Sequence, residues 1–381
     1  MKTNLLLASA LLLASCTGSR VDEAFRQAAA IEKSIKLPTF AAATFSIADF
    51  GAVPNDSLAL GHAAINAAID SCSAAGGGTV LVPQGVFHTG PITLKSNVNL
   101  HLEEGATLKF STDPALYFPA VLTRWEGIDC YNAHPLIYAY EAQNIAITGK
   151  GTIDGSASHD NWWQKKAWRP GRQRLLAFEQ SDTPVEQRVM TEEDGLRPPL
   201  INLYKCTSVL LEGVTLRNSP FWVTHPLLCD QLVVRNLNIY SLGPNSDGCD
   251  PESCSNVIIE GCLFDTGDDC IAIKSGRNND GRRWNTPSSN IIVRRCKMQD
   301  GHGGVVIGSE ISGGYKNLYV EDCEMDSPDL DRVIRIKTST CRGGTIENVF
   351  VRNVKVGQCG EAVLKINLLY DSKEECRRDF P

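Results

Sequence analysis

The chain has 381 residues, 43% of them apolar and 21% charged, with 32 glycines and a formal net charge of −7. That length fits one large or two ordinary domains of soluble globular type. The negative balance argues against a nucleic-acid partner or a basic membrane patch, although local cations in a site can still bind an acidic polymer.

Met1-Lys2, the apolar run Leu5–Leu13 and the small residues that follow read as a targeting segment too short to span a bilayer as a retained helix. Its ending, Leu13-Ala14-Ser15-Cys16, resembles a bacterial lipobox, in which Cys16 becomes the lipidated first residue; the alternative is an ordinary secretory signal cleaved nearby. The expectation is a protein exported and lipid-anchored in the bacterial envelope, in the periplasm or on the outer membrane surface. Residues 17–44 are predicted to be a tether, with weak helical patterning over Val21–Lys36.

Ser46–Pro54 reads as a strand and turn. Leu58–Ala75 carries Leu60, Ala64, Ile65, Ala68, Ile69 and Cys72 at helical spacing and stops at Gly76-Gly77-Gly78, which predicts a short helix capping a stack of strands. Thr79–Pro83, Gly90–Lys95 and Asn97–Glu103 read as strands.

A repeat then takes over. Its units open at Asn97, Asn144, Ser208, Gln231, Asn256, Asn290, Asn317 and Asn348, and each runs on as in NVIIEGCLFDT or NLYVEDCEMDS. A period of roughly 25–35 residues with two or three short strands leaves no room for helical crossovers. It fits an all-β, right-handed, single-stranded parallel β-helix covering residues 45–381. Six residues into successive units stand Val214, Leu237, Cys262, Cys296, Cys323 and Val354. Cysteine exchanges with aliphatic residues there, so these thiols are expected to be free, buried and stacked, although adjacent coils bring them within bridging reach. No metal-ligand spacing is evident. Residues 156–199 break the period and read as an insertion that walls a groove. Trp162, Trp163 and Trp168 within it either stack on sugars or pack the insertion onto the body.

The stretch Asn245–Gly276 concentrates the chemistry. Asp247, Asp268 and Asp269 each sit beside glycine at a turn; singly, each reads as a turn residue. Aligning DGCDPES, DCIAIKS, GGVVIGS and RVIRIKT stacks Ser253, Ser275, Ser309 and Thr338 and sends Ile271, Ile273, Val305, Ile307, Ile334 and Ile336 inward. Asp250, Glu252, Lys274, Arg335 and Lys337 then point outward. Asp247 falls beside Asp269, and Asp268 beside His302. Clustered carboxylates divide acid and base roles because like charges push their pKa values apart. Beside cations, such a site suits glycosidic hydrolysis of an acidic sugar polymer. His225, in SPFWVTHP one coil earlier, either touches substrate or is a buried structural histidine.

At Asn245-Ser246-Asp247, Gly267-Asp268-Asp269, Gly301-His302-Gly303 and Arg335-Ile336-Lys337 the chain resembles glycoside hydrolase family 28, the polygalacturonases and related pectinases. The resemblance implies a right-handed parallel β-helix and hydrolysis of α-1,4-galacturonosidic bonds with inversion. It implies Asp268 as general acid, Asp247 and Asp269 as the pair activating water, and His302 supporting the proton balance of Asp268. Arg335 and Lys337 are implied to bind galacturonate, with Asn245, Asp250, Lys274 and Tyr370 also in the substrate-binding set. No cofactor or metal is expected, and the protein is expected to act as a monomer. The first motif has Ser246 where the family commonly has Thr. The chain also stops at Pro381, earlier than family members usually do, so a fragment is expected. Rhamnogalacturonan or xylogalacturonan hydrolysis, a calcium-dependent pectate lyase and a non-catalytic polysaccharide-binding β-helix are the competing readings. The insertion leans the choice towards exo rather than endo attack.

Overall fold

The computed structural model describes residues 20–370, and within them the repeat folds as a right-handed parallel β-helix. Three parallel sheets run the length of the solenoid. The largest holds ten strands, from Thr44–Ser46 to Ile346–Arg352. A second holds seven. The third is in two four-stranded parts, joined through single bridges from Thr224 to Cys249 to Ile271. Register in the largest sheet places Val209, Leu232, Val257, Ile291, Leu318 and Val349 in one column, all but Val349 fully buried.

The residue that opens each unit has a physical reason. Asn97, Asn144, Asn256, Asn290, Asn317 and Asn348 all adopt left-handed φ values between 54° and 65°, which asparagine tolerates better than other residues with a side chain. Their amides also form a ladder, with Nδ2 of Asn290, Asn317 and Asn348 each donating at 2.9 Å to Oδ1 of the asparagine one coil before. Between the coils, Cys262, Cys296 and Cys323 are buried free thiols, as are Cys206, Cys229 and Cys254 in a second column, while Cys341 is disulfide-bonded.

The described part of the predicted tether, residues 20–44, is packed against the solenoid. Residues 20–34 form helix α1, which lies on the outside of the ten-stranded sheet. Ala24, Phe25 and Ala28 pack against Ala146, Leu210, Val233, Ile258, Ile292 and Tyr319, the outward-pointing residues of successive coils. Left uncovered, those side chains would remain in water, and burying Phe25 alone contributes about 2 kcal/mol. Arg294 clamps Glu32 with two hydrogen bonds, and Asn144 exchanges two with the Thr39 backbone. Cys16 and the rest of the targeting segment lie outside the described residues.

Helix α2, His62–Ala74, caps the first coil with Ile65, Ala68, Ile69 and Cys72 buried. It begins later than predicted. Leu58 and Leu60 stay outside it and exposed, because a turn in which Asp56 accepts from the Leu58 amide comes first.

Two excursions fold across the outward face of the third sheet. One is an antiparallel hairpin, Val121–Trp125 with Ile128–Asn132. The other is the 156–199 insertion, which carries helix α3, Pro170–Gln180. They share an apolar core of Trp125, Ile128, Leu175, Met190, Leu196, Phe221 and Trp222. Helix α4, Asn278–Trp284, joins them through Asp280, which pairs with Arg188 of the insertion at 2.6 Å and accepts from the Asp129 amide of the hairpin at 2.8 Å.

Candidate active site

The turn that precedes each strand of the third sheet carries the acidic residues. Cys249 bridges Ile271, Ile271 pairs with Val305, and Val305 with Ile334, so the turns of four consecutive coils are in step. One carboxylate oxygen from each of Asp247, Asp268 and Asp269 lies within 4.8 Å of the others. The His302 amide donates to the Asp268 carbonyl at 3.0 Å, and its ring Nδ1 meets Asp268 Oδ1 at 3.0 Å. The glycines flanking His302 are required by space. A Cβ at Gly301 would come within 2.7 Å of the Asp268 carbonyl, and one at Gly303 within 2.5 Å of Val306.

Charges in the cluster are matched. Lys337 Nζ lies 2.6 Å from Asp269 Oδ2, and Arg335 Nη1 lies 3.4 Å from Asp269 Oδ1. Lys274 Nζ stands 3.4 Å from Glu310 and 3.8 Å from Asp247, over the Trp222 ring at 4.7 Å. Three carboxylates so close are a potential cation site, and Lys337 already supplies a positive charge there. Burial, then the Asp268 charge, pushes the Asp247 carboxyl well above its usual range, against the pull of Lys274. Burial also pushes Asp268 up, but the hydrogen bond from His302 and the charges of Lys337, His302 and Lys166 outweigh it, so its pKa is lowered. His302 is raised in return by the same hydrogen bond, against partial burial. The like charges are thus driven apart, with Asp247 favouring its proton and the Asp268–His302 pair holding one between them.

A cavity of about 420 Å³ opens at this cluster. Asn245, Asp247, Asp268, Lys274, Lys337 and Tyr370 line it. Asp269 is fully buried behind its two cations, and His302 and Arg335 do not reach the cavity wall. Tyr370 lies under both cations, 5.5 Å from Arg335 and 5.3 Å from Lys337.

Two outward positions are corrected. Asp250 and Glu252 alternate outward along the strand, but both are fully buried, because this sheet face is roofed by the excursions. Glu252 pairs with Arg124 at 3.1 Å and with His225 at 2.8 Å. Asp250 is not among the residues lining the cavity, and neither of its oxygens has a hydrogen-bond partner among the described residues. His225 is fully buried between Asn202 and Glu252. The stacked hydroxyls are in register but not bonded in a chain. The hydroxyls of Ser253, Ser275 and Thr338 have no hydrogen-bond partner among the described residues, while Ser309 donates to Glu310 at 2.8 Å.

Of the insertion's tryptophans only Trp168 lines the cavity; Trp162 packs on Tyr117 and Trp163 donates to the Ser219 carbonyl. The aromatic wall is instead Trp125 and Trp222, with Phe221 stacked between them at 5.0 and 4.8 Å. Trp222 was legible: extending the strand register one coil back, from Cys249 to Thr224, puts it beside Asp247. Arg197 and Lys166, also on the wall, sit in the insertion where no register exists to find them.

Successive coils of a parallel β-helix thus gather three carboxylates and an imidazole beside one cavity, an arrangement suited to acid–base chemistry. Residues 72–380 match the model of glycosyl hydrolases family 28, and the chain belongs to that family. A solved structure from Thermotoga maritima, described as a hyperthermoactive exopolygalacturonase, is 42% identical and superposes with a TM-score of 0.89 over 93% of this chain and 82% of that one. A Vitis vinifera protein described as "Probable polygalacturonase" is 30% identical over 81% of this chain and 60% of its own length. A Dickeya chrysanthemi exo-poly-alpha-D-galacturonosidase is 27% identical over 85% of this chain and 57% of its own length. The chain therefore spans less than two thirds of these two curated relatives.

Proposed function

We propose that the protein hydrolyses α-1,4-galacturonosidic bonds in polygalacturonate and pectin oligosaccharides, with inversion, working from a chain end. The observation that carries this reading is the Asp268–His302 pair beside Asp247 and the doubly gripped Asp269. The cavity's charge favours an acidic substrate: Lys165, Lys166, Arg169, Arg172, Arg197, Lys274 and Lys337 line it against Glu126, Asp247, Asp268 and Glu310. Family membership and the exo-acting relatives add support.

In this mechanism Asp268 protonates the leaving oxygen. Its lowered pKa leaves the resting proton on His302, so the imidazole supplies it through the 3.0 Å hydrogen bond as negative charge develops on the leaving group. Asp247 and Asp269 hold the attacking water. Burial makes Asp247, once ionised, the stronger base, while Arg335 and Lys337 orient Asp269. The carboxylates are closer than the ~6.5–9.5 Å usual for inverting pairs. Inversion is therefore carried by the family, with two carboxylates sharing one water.

Exo attack is favoured by the insertion, whose Lys165, Lys166, Trp168, Arg169 and Arg172 stand on the cavity wall. Product analysis on polygalacturonate over time tests it. Free galacturonate is expected from the first minutes without intermediate oligomers. An early ladder of oligomers would refute chain-end attack, and unsaturated products would refute hydrolysis itself.

We also propose that the protein works as a lipid-anchored monomer on the bacterial envelope, through the lipobox cysteine Cys16. Its partner is the acidic plant polysaccharide, with no nucleic acid and no membrane contact beyond the lipid. Cys16→Ala is expected to move the protein from the membrane to the soluble fraction, with the mass of one chain by light scattering; unchanged membrane association would remove the anchor.

A further inference from the structure

Arg197 is a buried cation whose hydrogen-bond partners among the described residues are all neutral. It is 2% exposed and lines the cavity. One guanidinium nitrogen donates to the carbonyls of Pro220 at 2.8 Å and Pro244 at 2.7 Å, and another to Asn245 Oδ1 at 2.8 Å. The Phe221 ring lies 5.2 Å away. Other buried arginines are treated differently: Arg124 meets Asp129 and Glu252, Arg188 meets Asp280, and Arg335 meets Asp269. Burial lowers the Arg197 pKa to about 10, against the more distant charges of Glu126, Asp268 and Asp247, so it remains cationic at neutral pH. Burying a charge without a counter-ion is costly, and three neutral acceptors could be satisfied by a neutral donor. A cation kept at such cost on a cavity wall is matched by an anion that arrives with the ligand.

Its place along the solenoid says which part of the ligand. Pro220 and Asn245 belong to coils before Asp268 and Asp269, whereas Arg335 and Lys337 belong to a coil after them. Asp268 and Asp269 thus lie between Arg197 and Lys337 along the solenoid, with Asp247 on the coil of Asn245. A polymer cut at the cluster places one sugar towards each.

We propose that Arg197 is a specificity-determining residue that binds the carboxylate of the uronic acid on the side of the cleaved bond away from Lys337. This rests on the galacturonan reading above. A planar guanidinium pairs with a carboxylate through two parallel hydrogen bonds, which neither an ester nor a neutral sugar reproduces.

The test compares wild type, Arg197→Gln and Arg197→Lys on trigalacturonate and on its methyl ester, by kinetics and by calorimetric binding. Arg197→Gln is expected to lose about 100-fold in kcat/KM on the acid, mostly through KM, and less than about 3-fold on the ester. Arg197→Lys, which keeps the charge without the fork, is expected to retain part of the preference for the acid. Equal losses on acid and ester in either variant would overturn the proposal and leave Arg197 as a brace for Asn245. Should the wild type release no uronic acid, the hydrolytic reading fails on its own. Arg197 is then judged by binding, where loss of the acid-over-ester preference in Arg197→Gln upholds it and retention of that preference overturns it.

Discussion

The cavity has two walls built on different principles. On the coil wall, Asp247, Asp268 and Lys337 line the cavity from coils in step with one another, with Asp269, His302 and Arg335 beside them, and their charges are largely paired: Asp268 with His302, Asp269 with Arg335 and Lys337. On the insertion wall, Arg197 has only neutral hydrogen-bond partners among the described residues, and Lys165, Lys166 and Arg169 come from a segment outside the repeat. A hydrogen-bonded ladder fixes distances closely, which proton transfer needs. A segment freed from the ladder can be reshaped without disturbing the solenoid, which suits selection of substrate. The division predicts that damage to the coil wall stops chemistry, while damage to the insertion wall changes what is bound.

The largest expected effect is on the coil wall. Asp268→Asn should lower kcat by about 10³–10⁴-fold with KM little changed. Activity within 10-fold of wild type would remove Asp268 from the acid role and break the comparison at its strongest point. The Arg197 substitutions come next, at about 100-fold and expressed in KM. A loss expressed in kcat instead would mean that the two walls are not separate in function.

The smallest effect is a pH shift from His302→Asn, with about 10-fold lower kcat at mildly acidic pH. His302 has a raised folded pKa. Its ion pair therefore contributes stability that is fully present below the unfolded value near 6.5 and is lost as pH rises through the folded value. Asp268 is lowered, so its share is present above the unfolded value near 3.9 and is lost as pH falls through its folded pKa. In the variant Asp268 titrates without its partner, and the alkaline limb of activity should move to lower pH. Thermal midpoints of the two proteins should differ most between those two unfolded values and converge above the raised His302 pKa. A difference in midpoint independent of pH would show that the pair has no proton to give.

Much of the coil wall was legible because a β-helix repeats its register. Once DCIAIKS, GGVVIGS and RVIRIKT were aligned, Asp268 had to face His302, and the inward isoleucines followed. The same alternation placed Asp250 and Glu252 outward without saying what lay over them. Helix α1 shows a similar limit. The apolar middle residues Ala146, Leu210 and Ile258 mark an outer face that needs cover, but not which segment supplies it.

Strand spacing, the left-handed asparagines and the turn motifs are local, one-dimensional properties, so the amino-acid order alone determined the solenoid and the acidic cluster on its flank. Tertiary structure decided what lies across that solenoid: α1 on one sheet, the hairpin and insertion on another. Those contacts join residues distant in the chain with no shared period, such as Arg124 with Glu252 or Arg197 with Asn245. Burial and charge pairing depend on neighbours in three dimensions, and so the split between a neutralised Arg335 and an anion-seeking Arg197 emerged only there.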